Sequence, residues 1–437
     1  MRDLKEKSSL DVPHFICYNA LGVKKFKIQS NYEDRCVLKE DEKVIIEPKV
    51  REYICTTAHP TGCAESVRRQ AAIAASRPSV DGPKKVLVIG CSTGYGLASR
   101  ISALENLGAE TLGIMYERPS NGRRTATAGW YNTAEFERMS AEKGIYARSI
   151  NGDAFSIEIK EKTIEIIRKD LGKVDMVIYS LAAPRRTDAE GVTWSSCLKT
   201  TGEAFTEKSL DLRTNEIGEK TVEPATEEEL HSTIKVMGGE DWAEWIDVLK
   251  KADVLSANAV TVAYSYIGPK LTYPIYYHGT IGAAKQHLHK TMGEINAAYP
   301  DVKAYISVNK GLVTQASSAI PVVPLYFAIL YKVMKEKGTH EGCIEQITRL
   351  FTEKLFGENG VVTDENGFIR MDDYEMEEAV QEKILESWKA VKTETVKDYC
   401  DIDGYWEDFY NMFGFKYNNI DYKKEVNPEV PIGGIKD

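Results

Sequence analysis

The chain has 437 residues, of which 43% are hydrophobic and 28% are charged. Such a length and composition are typical of a globular protein with roughly two to three domain equivalents or one large α/β unit. The 66 acidic residues exceed the 56 basic ones and give a net charge of -10, so the overall field repels polyanions and excludes a general nucleic-acid binder.

The N-terminal segment, residues 1–43, alternates polar and apolar side chains without a clear period, and we predict only an extension of unknown role. It is charged from its second residue and lacks the apolar stretch of a signal peptide. The longest apolar run, residues 321–331, is far shorter than the ~20 residues that cross a bilayer. We therefore expect a cytoplasmic protein that does not insert into a membrane.

The eight cysteines are scattered without a paired framework, which in a chain of this length is typical of reduced thiols in the cytoplasm. Cys55, His59 and Cys63 have the spacing of metal ligands, but no second cluster in the sequence completes a four-ligand site. We therefore expect no bound metal.

A repeating strand-helix pattern begins after a helix predicted over residues 64–77. Short apolar runs, typical of strands buried on both faces, predict strands at residues 84–90 and 111–117, within 147–155, and at 173–184. This alternation indicates an α/β fold with a doubly wound, parallel, Rossmann-type sheet, similar to that of the short-chain dehydrogenases.

The pattern is interrupted near residues 185–235, which are polar and turn-rich and predict an excursion from the sheet. Strand signals resume at residues 260–268 and 304–313, and from residue 370 the chain is acidic and mostly helical. We therefore predict that residues 44–437 form a single large Rossmann-type domain. It would contain an insertion near 185–235, a helical C-terminal part and additional segments that cover the substrate.

Three glycines, Gly90, Gly94 and Gly96, lie where the first of these strands turns into a helix. Glycine there lets the backbone approach a pyrophosphate, whose charge is met by amides at the helix N-terminus. The spacing G-x3-G-x-G resembles that of the short-chain dehydrogenases. Glu117, 21 residues after Gly96 at the end of the second strand, can bind a ribose 2'-hydroxyl. An acid at this position favours NADH over NADPH, because it would repel a 2'-phosphate.

The same turn also matches the nucleophile elbow of α/β-hydrolases, because Ser92 stands between two glycines in G-x-S-x-G. A hydrolase would need an acid and then a histidine later in the chain, and Asp253 and His278 are candidates without a supporting motif. The third glycine and Glu117 have no purpose in an esterase, whereas a dinucleotide site uses both. A serine hydrolase and a non-catalytic protein that senses NAD remain as alternatives.

Short-chain reductases use a tyrosine as proton donor and a lysine that binds the cofactor ribose and lowers the tyrosine pKa. The usual Tyr-x3-Lys spacing occurs at Tyr266 and Lys270. Gly268 and Pro269 lie between them and would break the helix that this spacing requires. We therefore predict that this pair does not fill the role.

Tyr276 and Lys285 are a second candidate pair, nine positions apart. On one continuous helix they would lie on opposite faces. Gly279 removes the difficulty if the helix begins near Thr280, because Tyr276 then lies on the preceding loop and can turn toward Lys285. On spacing alone, a core tyrosine beside a solvated helix lysine is the stronger interpretation.

Nine ordered motifs, within a resemblance that runs from about residue 44 to 428, are AHPTGC, GCSTGYGLASR, GDAFS, YSLAAPRR, MGGEDW, AYSYIGP, GTIGAAK, LVTQASSAIP and PLYFAILYKVMKEKGTHEGCIEQ. Together they resemble the FabV-type enoyl reductases, which include the trans-2-enoyl-CoA reductases. The resemblance implies NADH-dependent reduction of the trans-2 double bond of enoyl thioesters to saturated acyl thioesters, in fatty acid biosynthesis or elongation.

The resemblance also implies roles for individual residues. Tyr276 would be the proton donor of a Tyr-x8-Lys motif, Lys285 the cofactor-binding lysine, and Tyr266 a substrate contact. The residues implied to bind NADH are Gly90, Cys91, Ser92, Thr93, Gly94, Tyr95, Tyr116, Glu117, Asp153, Ala154, Leu181, Ala182, Lys285, Leu312, Val313 and Thr314. For Leu181 and Ala182, simple core packing is an alternative.

The resemblance leaves the carrier of the thioester open. AYSYIGP is nearer to the enoyl-CoA reductases, which favours CoA, with acyl carrier protein as the alternative. The resemblance further implies that a helix over residues 324–346 lines an acyl tunnel, and a role as a core helix remains open beside it. We expect the protein to act as a monomer.

Overall fold

The computed structural model describes residues 43–51, 54–121, 124–314 and 317–434, so the predicted extension lies outside the described residues except for Lys43. The strands, in chain order, are β1 (Val50–Arg51), β2 (Ile54–Cys55), β3 (Lys85–Ile89), β4 (Glu110–Met115), β5 (Ala147–Asn151), β6 (Val174–Tyr179), β7 (Arg185–Thr187), β8 (Thr193–Ser195), β9 (Phe205–Asp211), β10 (Glu216–Val222), β11 (Leu255–Ser265), β12 (Val302–Val308) and β13 (Phe368–Arg370).

The α-helices are α1 (Pro60–Ala75), α2 (Gly94–Ser102), α3 (Ala128–Glu142), α4 (Ile157–Ile166), α5 (Glu227–Met237), α6 (Glu240–Lys251), α7 (Thr280–Ala298), α8 (Val323–Lys337), α9 (Cys343–Arg349), α10 (Glu378–Ala390), α11 (Val396–Tyr399) and α12 (Ile402–Asn411). Helices α2, α4 and α9 continue into π-helical turns at Ala103–Leu107, Ile167–Leu171 and Leu350–Leu355. No helix among the described residues is long and apolar enough to cross a membrane.

Seven strands form one parallel sheet in the order β13-β12-β11-β6-β3-β4-β5. The chain runs outward from β3 to β5, returns to β6 on the other side of β3, and then continues to the opposite edge. This order confirms the predicted α/β fold with a doubly wound, Rossmann-type sheet. The predicted strands are all present, with ends shifted by a few residues.

Helices cover both faces of the sheet because its central strands are apolar on both sides. In β3, Val86 and Val88 pack into one buried cluster with side chains of α1, α2, α3 and α9. The alternate residues, Leu87 and Ile89, pack into a second cluster with side chains of α4, α6 and α7. A strand repeats every two residues, so a continuous apolar run supplies both layers.

A third buried cluster lies outside the sheet and is built around α8. The chain leaves the sheet after β6 and forms two antiparallel hairpins, β7-β8 and β9-β10, before α5 and α6. Side chains from the β9-β10 hairpin, α10 and α12 then pack around α8.

The helix predicted over residues 324–346 is divided, which corrects that prediction. Helix α8 ends at Lys337, and Gly338 follows it with φ +76° in the left-handed conformation. Glycine reaches this conformation without the steric penalty of a side chain and terminates helices for that reason. Helix α9 then begins separately at Cys343, so only α8 forms the centre of the third cluster.

Candidate active site

Parallel strands bring the loops that follow them to one edge of the sheet. The glycine turn after β3 lies at this edge, together with the loops after β4, β5, β6, β11 and β12. The predicted cofactor residues fall in these loops and at the start of α2, with Lys285 on α7.

The glycine turn has a geometry that only glycine satisfies at two of its positions. A Cβ at Gly90, where φ is +83°, would lie 2.2 Å from the carbonyl oxygen of Ser180. A Cβ at Gly96 would lie 1.8 Å from the carbonyl oxygen of Gly90. No side chain fits at these two positions, so the turn packs closely against the first turn of α2.

Helix α2 begins at Gly94, where φ is +54° and open space surrounds the position of a Cβ. Thr93 precedes the helix and makes no side-chain capping hydrogen bond. Thr93 therefore leaves the first amides of α2 uncapped, and uncapped amides at a helix N-terminus attract anions. This cradle fits the pyrophosphate of a dinucleotide.

Glu117 stands beside this cradle in the loop after β4. The hydroxyl of Ser92 donates a hydrogen bond to Oε1 of Glu117 at 2.6 Å. The Glu117 backbone amide donates to Oδ1 of Asn151 at 2.8 Å. A Cβ at Gly129 would lie 2.0 Å from Oε1 of Glu117, so glycine at the start of α3 leaves room for the carboxylate. Ser92 and Asn151 thus hold an acid beside the glycine turn.

The residues that a serine hydrolase would need are not assembled. Ser92 is buried and donates to Glu117, and no histidine among the described residues hydrogen-bonds to it. Asp253 pairs with Lys173, whereas the exposed His278 packs its ring against Tyr277. The structure therefore gives the hydrolase alternative no support.

The remaining predicted residues near the glycine turn differ in exposure. Tyr116 is 80% exposed, and Ala154 is buried. The carboxylate of Asp153 accepts the amide of Phe155 at 3.0 Å. The others in this group are the buried Cys91, the half-buried Tyr95 and Leu181, and the exposed Ala182.

The segment Leu312 to Thr314 follows β12 and is held by local hydrogen bonds. The amide of Val313 donates to the hydroxyl of Tyr331 at 3.0 Å, and the amide of Thr314 donates to Oγ of Ser317 at 2.8 Å. Leu312 is half-buried and Thr314 is exposed. Tyr95 on α2 reaches this region, because its hydroxyl donates to the carbonyl oxygen of Lys310 at 2.9 Å.

Helix α7 begins at Thr280, which confirms the predicted start. Gly279 precedes it in an extended conformation, with φ -111° and ψ 176°. Tyr276 lies in the turns before the helix, where its amide donates to the carbonyl oxygen of Thr272 at 2.9 Å. A Cβ at Gly282 would lie 2.0 Å from the carbonyl oxygen of Tyr276, so glycine in the first turn of α7 lets this loop pack on the helix.

The structure brings Tyr276 together with Tyr266. Their ring centroids are 5.0 Å apart with an interplanar angle of 82°. Tyr266 shares no helix with Lys270, because Gly268 between them has φ +73° and the short 3-10 helix begins only at Lys270. This confirms that the Tyr-x3-Lys spacing does not form the helical pair of a short-chain reductase.

Lys285 contacts strand β11, which ends directly before Tyr266. Its Nζ donates to the carbonyl oxygen of Tyr264 at 3.0 Å, and burial lowers its pKa to about 8. The hydroxyl of Tyr264 shares a 2.6 Å hydrogen bond with Oγ of Ser99, and its ring lies 5.5 Å from that of Tyr95. Lys285 is thus anchored between the end of β11 and the start of α2.

The lowering of the Tyr276 pKa by Lys285 stays a prediction. Burial and then the negative charge of Glu375 raise the pKa of Tyr276 above its usual value, and Lys285 is not among the groups that shift it. No hydrogen bond joins Lys285 to Tyr276 in the part of the chain that the structure describes. The phenol of Tyr276 therefore stays protonated at neutral pH and keeps a proton to donate.

Sequence reasoning missed Glu375, a carboxylate that contacts this site. It is fully buried and accepts a hydrogen bond from the hydroxyl of Tyr266 at 3.2 Å. It lies 109 positions after Tyr266, in a tail with many acidic residues. No local pattern distinguishes it from its neighbours Asp372 and Asp373.

Three family models match consecutive parts of the chain. They are described as the NAD(P)H binding domain of trans-2-enoyl-CoA reductase (residues 45–122), the trans-2-enoyl-CoA reductase catalytic region (124–356) and the enoyl reductase FAD binding domain (363–426).

Proteins that are similar in sequence to this chain have one of two related enzyme names. The trans-2-enoyl-CoA reductase [NADH] of Ruminiclostridium cellulolyticum is 52% identical over 395 residues, which is 90% of this chain and 100% of that protein. The enoyl-[acyl-carrier-protein] reductase [NADH] of Flavobacterium johnsoniae is 52% identical over 396 residues, with the same coverage.

Solved structures of such proteins have the same fold. A Treponema denticola trans-2-enoyl-CoA reductase in complex with NAD has a TM-score of 0.86 and 46% identity, and the match covers 88% of this chain and 98% of that one. A Clostridium acetobutulicum trans-2-enoyl-CoA reductase in complex with NADH has a TM-score of 0.86 and 42% identity, with 90% and 100% coverage.

The description of the third family model names FAD, but the residues present do not fit a flavin dinucleotide. Residues 363–426 form β13 and the helices α10 to α12, and their large side chains Trp388, Tyr405 and Phe409 are buried in the third cluster. The turn after β13, residues 371–377, contains no glycine that would let backbone approach a pyrophosphate.

Proposed function

The chain belongs to the trans-2-enoyl-CoA reductase family, and we propose that it transfers a hydride from NADH to the β-carbon of a trans-2-enoyl thioester. The product is the saturated acyl thioester. The observation that carries this proposal is the placement of an anion cradle, an acid beside it and an uncharged phenol at one edge of the sheet. Oxidation of NADH in the presence of crotonyl-CoA tests it, and the absence of turnover with any enoyl thioester would refute it.

The residues proposed to hold NADH are those of the glycine turn, Glu117, Lys285 and the loops around them. Uncapped amides at the start of α2 would meet the pyrophosphate, and the carboxylate of Glu117 would accept the hydroxyls of the adenosine ribose. When bound, NADH supplies the hydride. Lys285, anchored on the carbonyl oxygen of Tyr264, would hold the second ribose.

Tyr276 is proposed to act on the oxygen of the thioester carbonyl. Negative charge develops on this oxygen as the β-carbon accepts a hydride. A neutral phenol aimed at the oxygen stabilises the transition state more than the ground state, because its hydrogen bond strengthens with the charge. The raised pKa of Tyr276 supports this role, since the phenol remains protonated until charge develops beside it.

We expect Glu117→Ala to raise the KM for NADH by about 10- to 100-fold, because a hydrogen bond to a charged group contributes ~1.5–3 kcal/mol. The variant should also lose its discrimination against NADPH, whose 2'-phosphate a carboxylate repels. Initial rates with each cofactor measure both effects. Glu110→Ala is the control, because Glu110 is also partly buried but lies at the opposite end of β4. An unchanged NADH/NADPH ratio would remove Glu117 from the ribose site.

The affinity for NADH should fall as the pH rises through about 8. Burial lowers the pKa of Lys285 to about 8, so the amine is cationic below that pH and neutral above it. The neutral amine loses its attraction for the anionic cofactor. Titrations of NADH fluorescence across this pH range should show the loss in the wild type and a weaker dependence in Lys285→Gln. Lys290→Gln is the control on the exposed face of α7, and an equal pH dependence in all three proteins would contradict the role of Lys285.

We propose CoA as the preferred carrier, with acyl carrier protein as the alternative. Both carriers occur in the names of relatives that are 52% identical to the chain, so overall similarity does not favour either. The motif AYSYIGP, nearer to the enoyl-CoA reductases, supports CoA. Rates with crotonyl-CoA, a longer 2-enoyl-CoA and an enoyl-acyl carrier protein, measured in parallel, decide between the carriers.

We further propose that residues 44–437 act as one domain, as a monomer in the cytoplasm. Support for one domain comes from the sheet, because β3, β12 and β13 belong to three different family matches and still share its hydrogen bonding. Light scattering after gel filtration tests the monomer. A stable dimer would overturn that part of the proposal.

A further inference from the structure

Glu375 is a buried carboxylate that the proposed chemistry does not yet use. It lies in the turn after β13 and is 0% exposed. Burial raises the pKa of its carboxyl, and the positive charge of Lys310 opposes this shift. A buried carboxylate is costly unless several donors satisfy it. The hydrogen-bond partners of Glu375 therefore indicate its role.

Its two oxygens contact donors from three separate elements. Oε2 accepts the amide of Gly311 at 2.7 Å. Oε1 accepts the hydroxyl of Tyr326 at 2.7 Å and that of Tyr266 at 3.2 Å. Gly311 directly precedes the predicted NADH-binding segment Leu312 to Thr314, Tyr326 belongs to α8, and Tyr266 packs against Tyr276. One side chain thus joins the cofactor loop, the central helix of the third cluster and the pair of tyrosines.

The direction of these hydrogen bonds restricts what Tyr266 can do. A backbone amide can only donate, so Oε2 is an acceptor, and in its ionised form the carboxylate accepts the hydroxyls of Tyr326 and Tyr266 at Oε1. The single proton of Tyr266 then points at Glu375, and its oxygen offers only lone pairs to the rest of the site. The hydroxyl of Tyr276 has no hydrogen-bond partner among the described residues and remains available as a donor.

We propose that Glu375 is a positioning residue that turns the proton of Tyr266 away from the thioester and leaves Tyr276, of the two tyrosines, as the phenolic donor to its oxygen. This inference rests on the proposed function. It assigns the two tyrosines different roles, although both line the same site. Tyr266 fixes the ring of Tyr276 by edge-to-face packing, and Glu375 fixes Tyr266.

Glu375→Gln tests the proposal with little change of shape. The amide oxygen can still accept from Gly311, but the amide nitrogen now donates toward the tyrosine oxygens and reverses their hydrogen bonds. We expect kcat to fall about tenfold, because Tyr266 loses its hydrogen bond to a charged group and no longer fixes the ring of Tyr276, with KM and the NADH dissociation constant within about twofold of the wild type.

A double-mutant cycle separates this role from a general effect on packing. In a Tyr266→Phe background, Glu375→Gln should change kcat by less than about twofold, because the hydroxyl that it orients is gone. Tyr326→Phe is the matched control, since it removes the other hydroxyl from the same oxygen. In that background, Glu375→Gln should still lower kcat about tenfold.

Equal losses from Glu375→Gln in the wild-type and Tyr266→Phe backgrounds, or an unchanged kcat, would overturn the proposal. If Glu375→Gln does not fold, the tyrosine variants alone test the proposal. Tyr266→Phe should then lose no more than about tenfold in kcat, and a loss as large as that of Tyr276→Phe would make Tyr266 a second donor. A wild-type enzyme that oxidises no NADH with enoyl thioesters would instead refute the proposed function itself, and this inference with it.

Discussion

Tyr276→Phe is expected to lower kcat by about 10²- to 10⁴-fold, the usual range for the loss of a positioned acid. The substitution removes one hydroxyl and keeps the ring that packs at 5.0 Å against Tyr266. The affinity for NADH should stay within about twofold, because the phenol acts on charge that develops only during the reaction. Single-turnover rates with crotonyl-CoA and NADH titrations measure the two quantities separately.

Tyr277→Phe is the control for this experiment. Tyr277 is the next residue, is 37% exposed, and stacks on Tyr273 at 5.0 Å, away from the proposed chemistry. Its variant should keep the wild-type kcat. Full activity of Tyr276→Phe would remove Tyr276 from its proposed role, whatever the outcome at the cofactor site.

Gly96→Ala is expected to weaken NADH binding by about 100-fold or more. Its Cβ would lie 1.8 Å from the carbonyl oxygen of Gly90, a backbone atom, and a Cβ has no rotation that avoids it. The turn must open to relieve this clash, which moves the amides at the start of α2 away from the pyrophosphate. Hydrogen bonds to charged groups contribute ~1.5–3 kcal/mol each, so the loss of two accounts for at least this factor. A lower melting temperature should accompany the loss.

Gly293→Ala is the matched control, because Gly293 is also a helical glycine but has open space around its Cβ position. That variant should bind NADH normally and gain ~0.5–1 kcal/mol of stability, since alanine loses less backbone freedom than glycine in a helix. Calorimetry of both variants, with and without NADH, gives the comparison. Near-normal affinity of Gly96→Ala would contradict the proposed pyrophosphate site.

Several structural features could be predicted from the sequence because they depend on local backbone preferences. The run KVLVI is apolar at every position but its first, and only a strand covered on both faces buries such a run. Gly279 marks a break before α7, and Gly268 excludes a helical pair of Tyr266 and Lys270. In each case the residues that decide the conformation are within a few positions of the feature, so no distant contact is needed.

The division between α8 and α9 was missed although its cause is also local. Gly338 was present in the predicted helix of residues 324–346. A single glycine inside an apolar helical pattern is often tolerated, and the sequence does not reveal whether the chain will adopt the left-handed conformation there.

The sequence by itself determined the sheet, the glycine turn, the acid after the second strand of that sheet and the loop position of Tyr276. Only the tertiary structure decided which of these groups meet. Lys285 contacts the carbonyl of Tyr264 instead of Tyr276, and the partner of Tyr266 is Glu375, 109 positions away. Contacts over such separations depend on how helices and hairpins pack against the sheet. That packing is a property of the whole chain, and no local pattern encodes it.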